Sequence, residues 1–261
     1  MTTASTGRPQ PAAIGPLGWI LIALRLALML AWLSLCIVAY YVRRLFPGTN
    51  RWPPIFLGGV AWLAGVDVTI RGLRLRGGAF LLANHVSWID IPAIAAASGA
   101  AFIAHDGLAA IPLLRWLCRM NGTVFVARHD RRSVADQVAQ VRAAITDSGV
   151  LAIFPEGTTS DGTALLPFKS SLLSALDPVP DGIVIQPVWL DYGGEAAAIA
   201  WVGEEPGLDN FLRILARPSP VKLTVHLLRP LSGAALANRK ALAIEARAAI
   251  IAAMGRQRVA L

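Results

Sequence analysis

Hydrophobic positions along this chain change their spacing twice. From Leu17 to Val42 apolar residues run almost without interruption, Arg25 being the single charge, and the run closes on Arg43-Arg44. A helix of that length can cross a hydrocarbon core with some tilt. A second apolar stretch, Ile55 to Val66, follows Pro53-Pro54 and is too short to cross. Arg25 leaves two arrangements open: one spanning helix, or a shallow helical pair held in one leaflet. In the spanning case the arginines after Val42 place that end in the cytoplasm. A cleaved leader fits poorly, because the run exceeds the usual apolar core and leads into arginines rather than a small-residue cleavage site. Residues 1–16 are polar and rich in Pro, Gly and Thr, and read as a loose tail.

Beyond Val66 the pattern shortens to apolar runs of four to eight residues alternating with helical spacing. Strands are predicted at Val68–Ile70, Phe80–Ala83, Ala101–Ala104, Thr123–Ala127, Val150–Phe154, Ile183–Leu190, Ile199–Val202 and Val221–Leu227. Helices are predicted from Asp90 to Ala97, Leu108 to Met120, Ser133 to Asp147 and Ala235 to Met254. The third places Val134, Val138, Val141 and Ile145 on one face behind a Ser133-x-x-Asp136 capping box. This alternation predicts one α/β domain with a mixed sheet. The expected division is a tail (1–16), membrane-anchoring helical segments (17–66) and a catalytic domain (67–261).

Composition sharpens the membrane reading. Apolar residues make up 55% of the chain and charged residues 15%, unusual for a freely soluble protein. The net charge of +8 is uneven, since residues 1–51 hold five Arg and no acid. Basic residues flanking apolar segments are drawn to anionic headgroups. No basic stripe interleaved with aromatics and no zinc pattern speaks for nucleic acid. Cys36 and Cys118 form no CxxC or disulfide framework and read as packing residues.

Four segments carry candidate chemistry. Asn84-His85-Val86-Ser87-Trp88-Ile89-Asp90 puts an imidazole and a carboxylate five residues apart, beside an apolar strand. Five residues do not align two side chains on one helix face, so the pair must bend across a strand-to-helix turn. There Asp90 can accept the Nδ1–H of His85 and leave Nε2 as a base, without a protein nucleophile. Ser87 lies in no nucleophile elbow and reads as a turn or cap residue. Gly122 to Arg128 ends a strand with a guanidinium suited to phosphate or carboxylate. Phe154-Pro155-Glu156-Gly157-Thr158 ends another with a carboxylate that can hold a hydroxyl, and Ile185-Gln186-Pro187-Val188 lies in a third apolar run. His105, His129 and His226 have no partners at metal spacing, so no metal is expected.

In this order the segments resemble the four motifs of the glycerolipid acyltransferases, the lysophosphatidic acid acyltransferase family, over roughly residues 66–190. The resemblance implies a single glycerolipid-acyltransferase-like α/β domain with a mixed sheet, preceded by an N-terminal membrane-associated helical segment. It implies acyl-CoA or acyl-carrier protein as thioester donor, a lysophospholipid acceptor, no cofactor, and a place on the bilayer at the cytoplasmic face of the inner membrane. His85 and Asp90 become the catalytic residues. Gly122, Arg128, Glu156, Gly157 and Thr158 become acceptor-binding positions, joined by Lys169. The leading expectation is acylation of 1-acylglycerol-3-phosphate to phosphatidic acid. A lyso-ornithine-lipid acyltransferase is the alternative within the class, and a non-catalytic membrane lipid-binding protein the alternative outside it. One departure bears on the acceptor: family members frequently carry Arg two residues after the motif glycine, where this chain has Thr159.

Overall fold

The computed structural model describes residues 14–75, 77–105, 112–126, 139, 143–145 and 149–260. Its centre is a seven-stranded mixed sheet in the order β1-β7-β6-β2-β5-β3-β4. The strands are β1 (Val66–Gly72), β2 (Ala79–Ala83), β3 (Ala101–His105), β4 (Val124–Val126), β5 (Val150–Ile153), β6 (Val184–Asp191) and β7 (Val221–Leu227). From β6 through β2, β5 and β3 to β4 every pairing is parallel, and β7 turns back antiparallel to β6 with β1 parallel to it. The chain therefore leaves β2, β4, β5 and β6 along one edge. In open α/β sheets that carboxyl edge is where ligands bind.

Strand alternation divides the core in two. Leu81 faces one buried cluster with Ala152, Val188 and Leu190; Phe80 and Leu82 face the other with Leu151, Ile153 and Ile185. The first face is covered by α2 (Trp52–Leu63), α3 (Asp90–Ser98) and α6 (Gly207–Leu215). The second is covered by α7 (Arg239–Ala260), through Leu242, Ala246 and Ile250, and by a 3-10 segment, Ser170–Leu176. Two further helices are α4 (Pro112–Met120) and the single turn α5 (Ala196–Ile199), with α1 (Pro16–Arg43) ahead of them all.

Two expectations need correction. Residues 199–202 are the end of α5 and coil, because the alanines before Ile199 close a helical turn and leave no ladder for Trp201. The C-terminal helix begins at Arg239, the segment Gly233–Leu236 being a separate 3-10 turn. Most of the helix expected at Ser133–Asp147 lies outside the described residues, but 143–145 are helical and Ile145 is in the core.

The apolar N-terminal run forms α1 and α2, packed on each other and on the domain. Pro16 and Pro53 stand in first turns, where a missing N–H costs nothing. The Trp32 indole donates to the carbonyl of Phe56 at 3.1 Å, and Gly59 permits it, since a Cβ there would lie 2.0 Å from Trp32 Nε1. The Arg25 guanidinium reaches out of α1 to the last carbonyls of α6, Leu215 O at 2.9 Å and Ile214 O at 3.5 Å. A cation on the negative end of a helix dipole, bonded to otherwise unclaimed carbonyls, explains why one charge is kept in an apolar helix. Among the described residues α1 is the one helix long and apolar enough to cross a membrane, and its outer face exposes Leu17, Ile20, Leu24, Leu28, Leu35 and Val38.

Arg25→Leu removes this tie while keeping α1 apolar. Charge-assisted bonds of this kind contribute about 1.5–3 kcal/mol, so the melting temperature in detergent is expected to fall by about 3–10 °C. An unchanged melting curve would mean that α1 is held by apolar packing alone.

Candidate active site

The site is assembled at the carboxyl edge of the sheet. Asn84 leaves β2 and clamps the neighbouring strand: its amide accepts from Leu190 N–H at 2.7 Å and donates to Leu190 O at 3.2 Å. With the ends of β2 and β6 fixed, the next five residues form a tight turn into α3. Asp90, the first residue of α3, is fully buried, and its Oδ2 accepts from Val86 N–H at 2.6 Å and Ser87 N–H at 3.0 Å. The same oxygen lies 2.7 Å from His85 Nδ1. An ionised carboxylate can only accept, so Nδ1 carries the proton and Nε2 is left with its lone pair. Tyr192, one residue beyond β6, donates its hydroxyl to Asp90 Oδ1. Burial and the adjacent Asp90 charge hold the Tyr192 phenol well above its ordinary value, so it remains a donor.

His85 is fixed through its backbone as well. Its N–H donates to Glu156 Oε1 at 2.7 Å, and its carbonyl accepts from Ser160 N–H at 2.7 Å and Ser160 Oγ at 3.1 Å. The imidazole stacks on Phe154 with ring centroids 4.0 Å apart, leaving 17% of the side chain exposed. Ser87 is fully buried and donates to Asn210 Oδ1 at 3.0 Å, away from the imidazole, which removes it as a nucleophile.

The third motif differs from expectation. Glu156 was expected to hold an acceptor hydroxyl, but it is 1% exposed and both oxygens are used on the backbone, Oε1 by His85 and Oε2 by Leu166 N–H at 3.1 Å. It braces the loop that carries the imidazole. Gly157 adopts φ +68°, and a Cβ there would meet Lys169 Nζ at 3.0 Å and Leu172 Cδ1 at 3.2 Å, so its missing side chain makes room for Lys169. Thr158 is exposed. Thr159 turns its hydroxyl onto the carbonyl of Trp201, whose own N–H donates to Val86 O at 2.9 Å. The position often filled by Arg is thus a tie between the third motif and the first.

Gly122 closes the turn after α4 at φ +70°, a conformation glycine supplies without strain. Arg128 lies outside the described residues, as does His129. Gln186 of the fourth motif is buried and donates to Leu73 O at 3.0 Å and Leu228 O at 2.9 Å, a splint between loops. His226, read as partnerless, stacks on Trp189 and has Asp191 Oδ2 at 3.7 Å.

Beside this site is a cavity of about 280 Å³, lined by residues far apart in the chain. Helix α1 contributes Cys36, Ile37 and Tyr40, α2 contributes Trp52 and Phe56, and Cys118 enters from α4, so both cysteines line it. Ile91, next to Asp90, and Phe102 also line it. Phe102 stacks on Phe154 at 6.2 Å, and Phe154 on His85, so an aromatic ladder runs from base to cavity.

A parallel-sheet edge bearing a histidine–carboxylate pair, beside an apolar cavity roofed by a lipophilic helical pair, defines an enzyme class that handles acyl chains. The family model described as Acyltransferase matches residues 66–191. The lyso-ornithine lipid O-acyltransferase of Rhodobacter capsulatus is 32% identical over 251 residues, covering 90% of this chain and 88% of the relative. The 1-acyl-sn-glycerol-3-phosphate acyltransferase of Neisseria gonorrhoeae is 34% identical over 145 residues, covering 54% of this chain and 57% of the relative. In fold, the crystal structure of the 1-acyl-sn-glycerophosphate acyltransferase from Thermotoga maritima superposes with a TM-score of 0.65 at 19% identity, covering 93% of this chain and 95% of that one. The chain belongs to the acyltransferase family. It is an acyltransferase, with the α/β fold that the motifs implied.

Burial raises the Glu156 carboxyl from 4.5 to about 7, against the pull of the His85 and Leu166 amides. Because the folded-state value is the higher one, the fold favours the protonated form. Its contribution to stability is full below about pH 4.5, declines as pH rises to about 7, and is lost above that. The decline amounts to about 3 kcal/mol. Glu156→Gln, which cannot ionise, is expected to flatten this part of the curve of melting temperature against pH between about 5 and 8. Parallel curves for parent and variant would assign the slope to other groups.

Proposed function

We propose that this enzyme moves a fatty acyl group from an acyl-CoA or acyl-carrier protein thioester to the free hydroxyl of a lyso-ornithine lipid. The observation that carries the acceptor is the reach of the likeness. The lyso-ornithine relative matches 90% of the chain, whereas the glycerol-phosphate relative matches 54%. Thr159 supports it, since a hydroxyl tied to Trp201 O stands where family members often present a guanidinium to phosphate. Phosphatidic acid formation, the leading expectation from the motifs, is the second reading, favoured by the likeness to the Neisseria enzyme over the motif-bearing half.

The proposed reaction uses His85 Nε2 to take the acceptor hydroxyl proton as the oxygen attacks the thioester carbonyl. Asp90 fixes the tautomer and stabilises the imidazolium, which returns the proton to the departing thiolate. Lys169 and Arg128 supply cations for an acceptor carboxylate or phosphate. The apolar cavity takes a fatty chain with its reacting end near Ile91 and Phe102, an orientation effect that brings the reacting atoms together.

The same geometry favours a monotopic seat on the bilayer. Arg25 ties the middle of α1 to α6, and Trp32 ties it to α2, so α1 lies along the domain rather than standing clear of it. The turn between the two helices exposes Leu45 (80%) and Phe46 (62%) beside Arg43, Arg44 and Arg51, a pairing of apolar side chains and cations suited to an anionic headgroup layer.

Thiol release from palmitoyl-CoA, measured with each acceptor in turn, tests the reaction. The parent is expected to favour lyso-ornithine lipid over 1-acylglycerol-3-phosphate, and His85→Ala to lose about a thousandfold in rate. Equal release by parent and His85→Ala would sink the catalytic assignment, and preference for the phosphate acceptor would leave the second reading. For the membrane seat, Leu45→Asp with Phe46→Asp is expected to shift the protein off phosphatidylglycerol vesicles in flotation, and unchanged flotation would place attachment elsewhere on α1.

A further inference from the structure

We propose that Tyr192 is a positioning residue for acyl transfer, its hydroxyl holding the second oxygen of Asp90 so that the first stays on the imidazole. Three donors converge on Oδ2: His85 Nδ1–H at 2.7 Å, Val86 N–H at 2.6 Å and Ser87 N–H at 3.0 Å. On Oδ1 the described residues provide one donor, the Tyr192 hydroxyl. Asp90 is fully buried and Tyr192 is 4% exposed, so no bulk water replaces that bond. A buried carboxylate oxygen left without a donor is costly, and rotation about Cβ–Cγ is its simplest relief. That rotation carries Oδ2 off His85 and frees the ring.

The placement of Tyr192 follows from the fold. The Asn84 amide grips both backbone groups of Leu190, two residues before Tyr192, and Asn84 is itself the residue before His85. One side chain therefore sets how far the β6 end, with its phenol, lies from the β2 end, with its imidazole. Tyr192 stands one residue beyond the span matched by the family model, and no spacing rule links it to Asp90 across 102 positions. Besides Tyr192, the titratable groups facing Asp90 are His85, in direct contact, and Glu156, whose carboxyl feels the Asp90 charge across the His85 backbone. Tyr192 does not itself line the cavity and its hydroxyl bonds Asp90, so its effect passes through Asp90.

This inference rests on the proposed roles of His85 and Asp90, and the test keeps the two separable. Full-length parent, Tyr192→Phe and His85→Ala are assayed by thiol release from palmitoyl-CoA with the acceptor that the parent prefers. Tyr192→Phe keeps the ring packing but leaves Oδ1 without its donor, so its melting temperature is expected to fall by about 2–10 °C with the fold retained. Its kcat is expected to fall about tenfold to hundredfold, the usual loss when a group supporting a functional side chain is removed. KM for both substrates should stay within about twofold, because Tyr192 contacts neither. The acid limb of kcat/KM should move to lower pH by about half a unit or more, since a carboxylate turned off the ring stabilises the imidazolium less. Loss of folded protein would scale the profile down without moving it. An acid limb that stays in place, an unchanged kcat, or a loss confined to KM overturns the role of Tyr192. An active His85→Ala overturns the catalytic reading on which it depends.

Discussion

A buried carboxylate needs donors from every side, and in this enzyme that requirement shapes the turn between β2 and α3. Asp90 is taken out of water at the start of α3, where two backbone amides, an imidazole and a phenol replace its hydration. Leaving an ionised group buried and unpaired costs several kcal/mol, so these groups are tied to one point in space. Because they come from the turn after β2, the start of α3 and the residue after β6, satisfying one charge fixes the relative position of three elements. The imidazole is aligned as a consequence.

Glu156 does for the His85 backbone what Asp90 does for its ring. Its two oxygens bridge the amides of His85 and Leu166, locking the β5 loop against the β2 loop. Phe154, two residues earlier, lies flat on the imidazole and passes the stack to Phe102 in the cavity wall. The polar bracing on one side and the aromatic ladder on the other hold the base at the border between a wetted sheet edge and an apolar space. In the proposed reaction a base that meets both a lipid hydroxyl and a fatty thioester is best held at such a border, because each reactant can keep its own solvent until the reacting ends meet.

Much of this was readable from residues alone, for identifiable reasons. The five-residue spacing between His85 and Asp90 forces a strand-to-helix bend, and the bend is there. Buried strands such as Val221–Leu227 announce themselves by apolar alternation. The 199–202 segment misled because Ile, Ala, Trp and Val suit a strand locally, yet the preceding alanines continue into a helical turn with no neighbouring edge free to pair. Glu156 is ambiguous in sequence for a different reason. A carboxylate beside a glycine can bind a substrate hydroxyl or the protein's own amides, and only its burial distinguishes them. Tyr192, Asn84 and the cavity join residues scores of positions apart, contacts that periodicity does not encode.

The use made of its carboxylates bears on what this enzyme recognises. Asp90 and Glu156, the two acids of the motifs, are consumed internally, and Thr159 is turned inward onto Trp201. Three polar positions that could have contacted a glycerol phosphate instead hold the loops of the site to one another. In the proposed function, acceptor recognition falls to cations such as Lys169 and to the apolar cavity. A cation binds a carboxylate as readily as a phosphate, whereas an apolar groove selects on the length and shape of a chain. On the proposed reading, such a site would accept an amino-acid headgroup in place of a phosphate, because the feature it holds rigid is the imidazole rather than a contact to the anion.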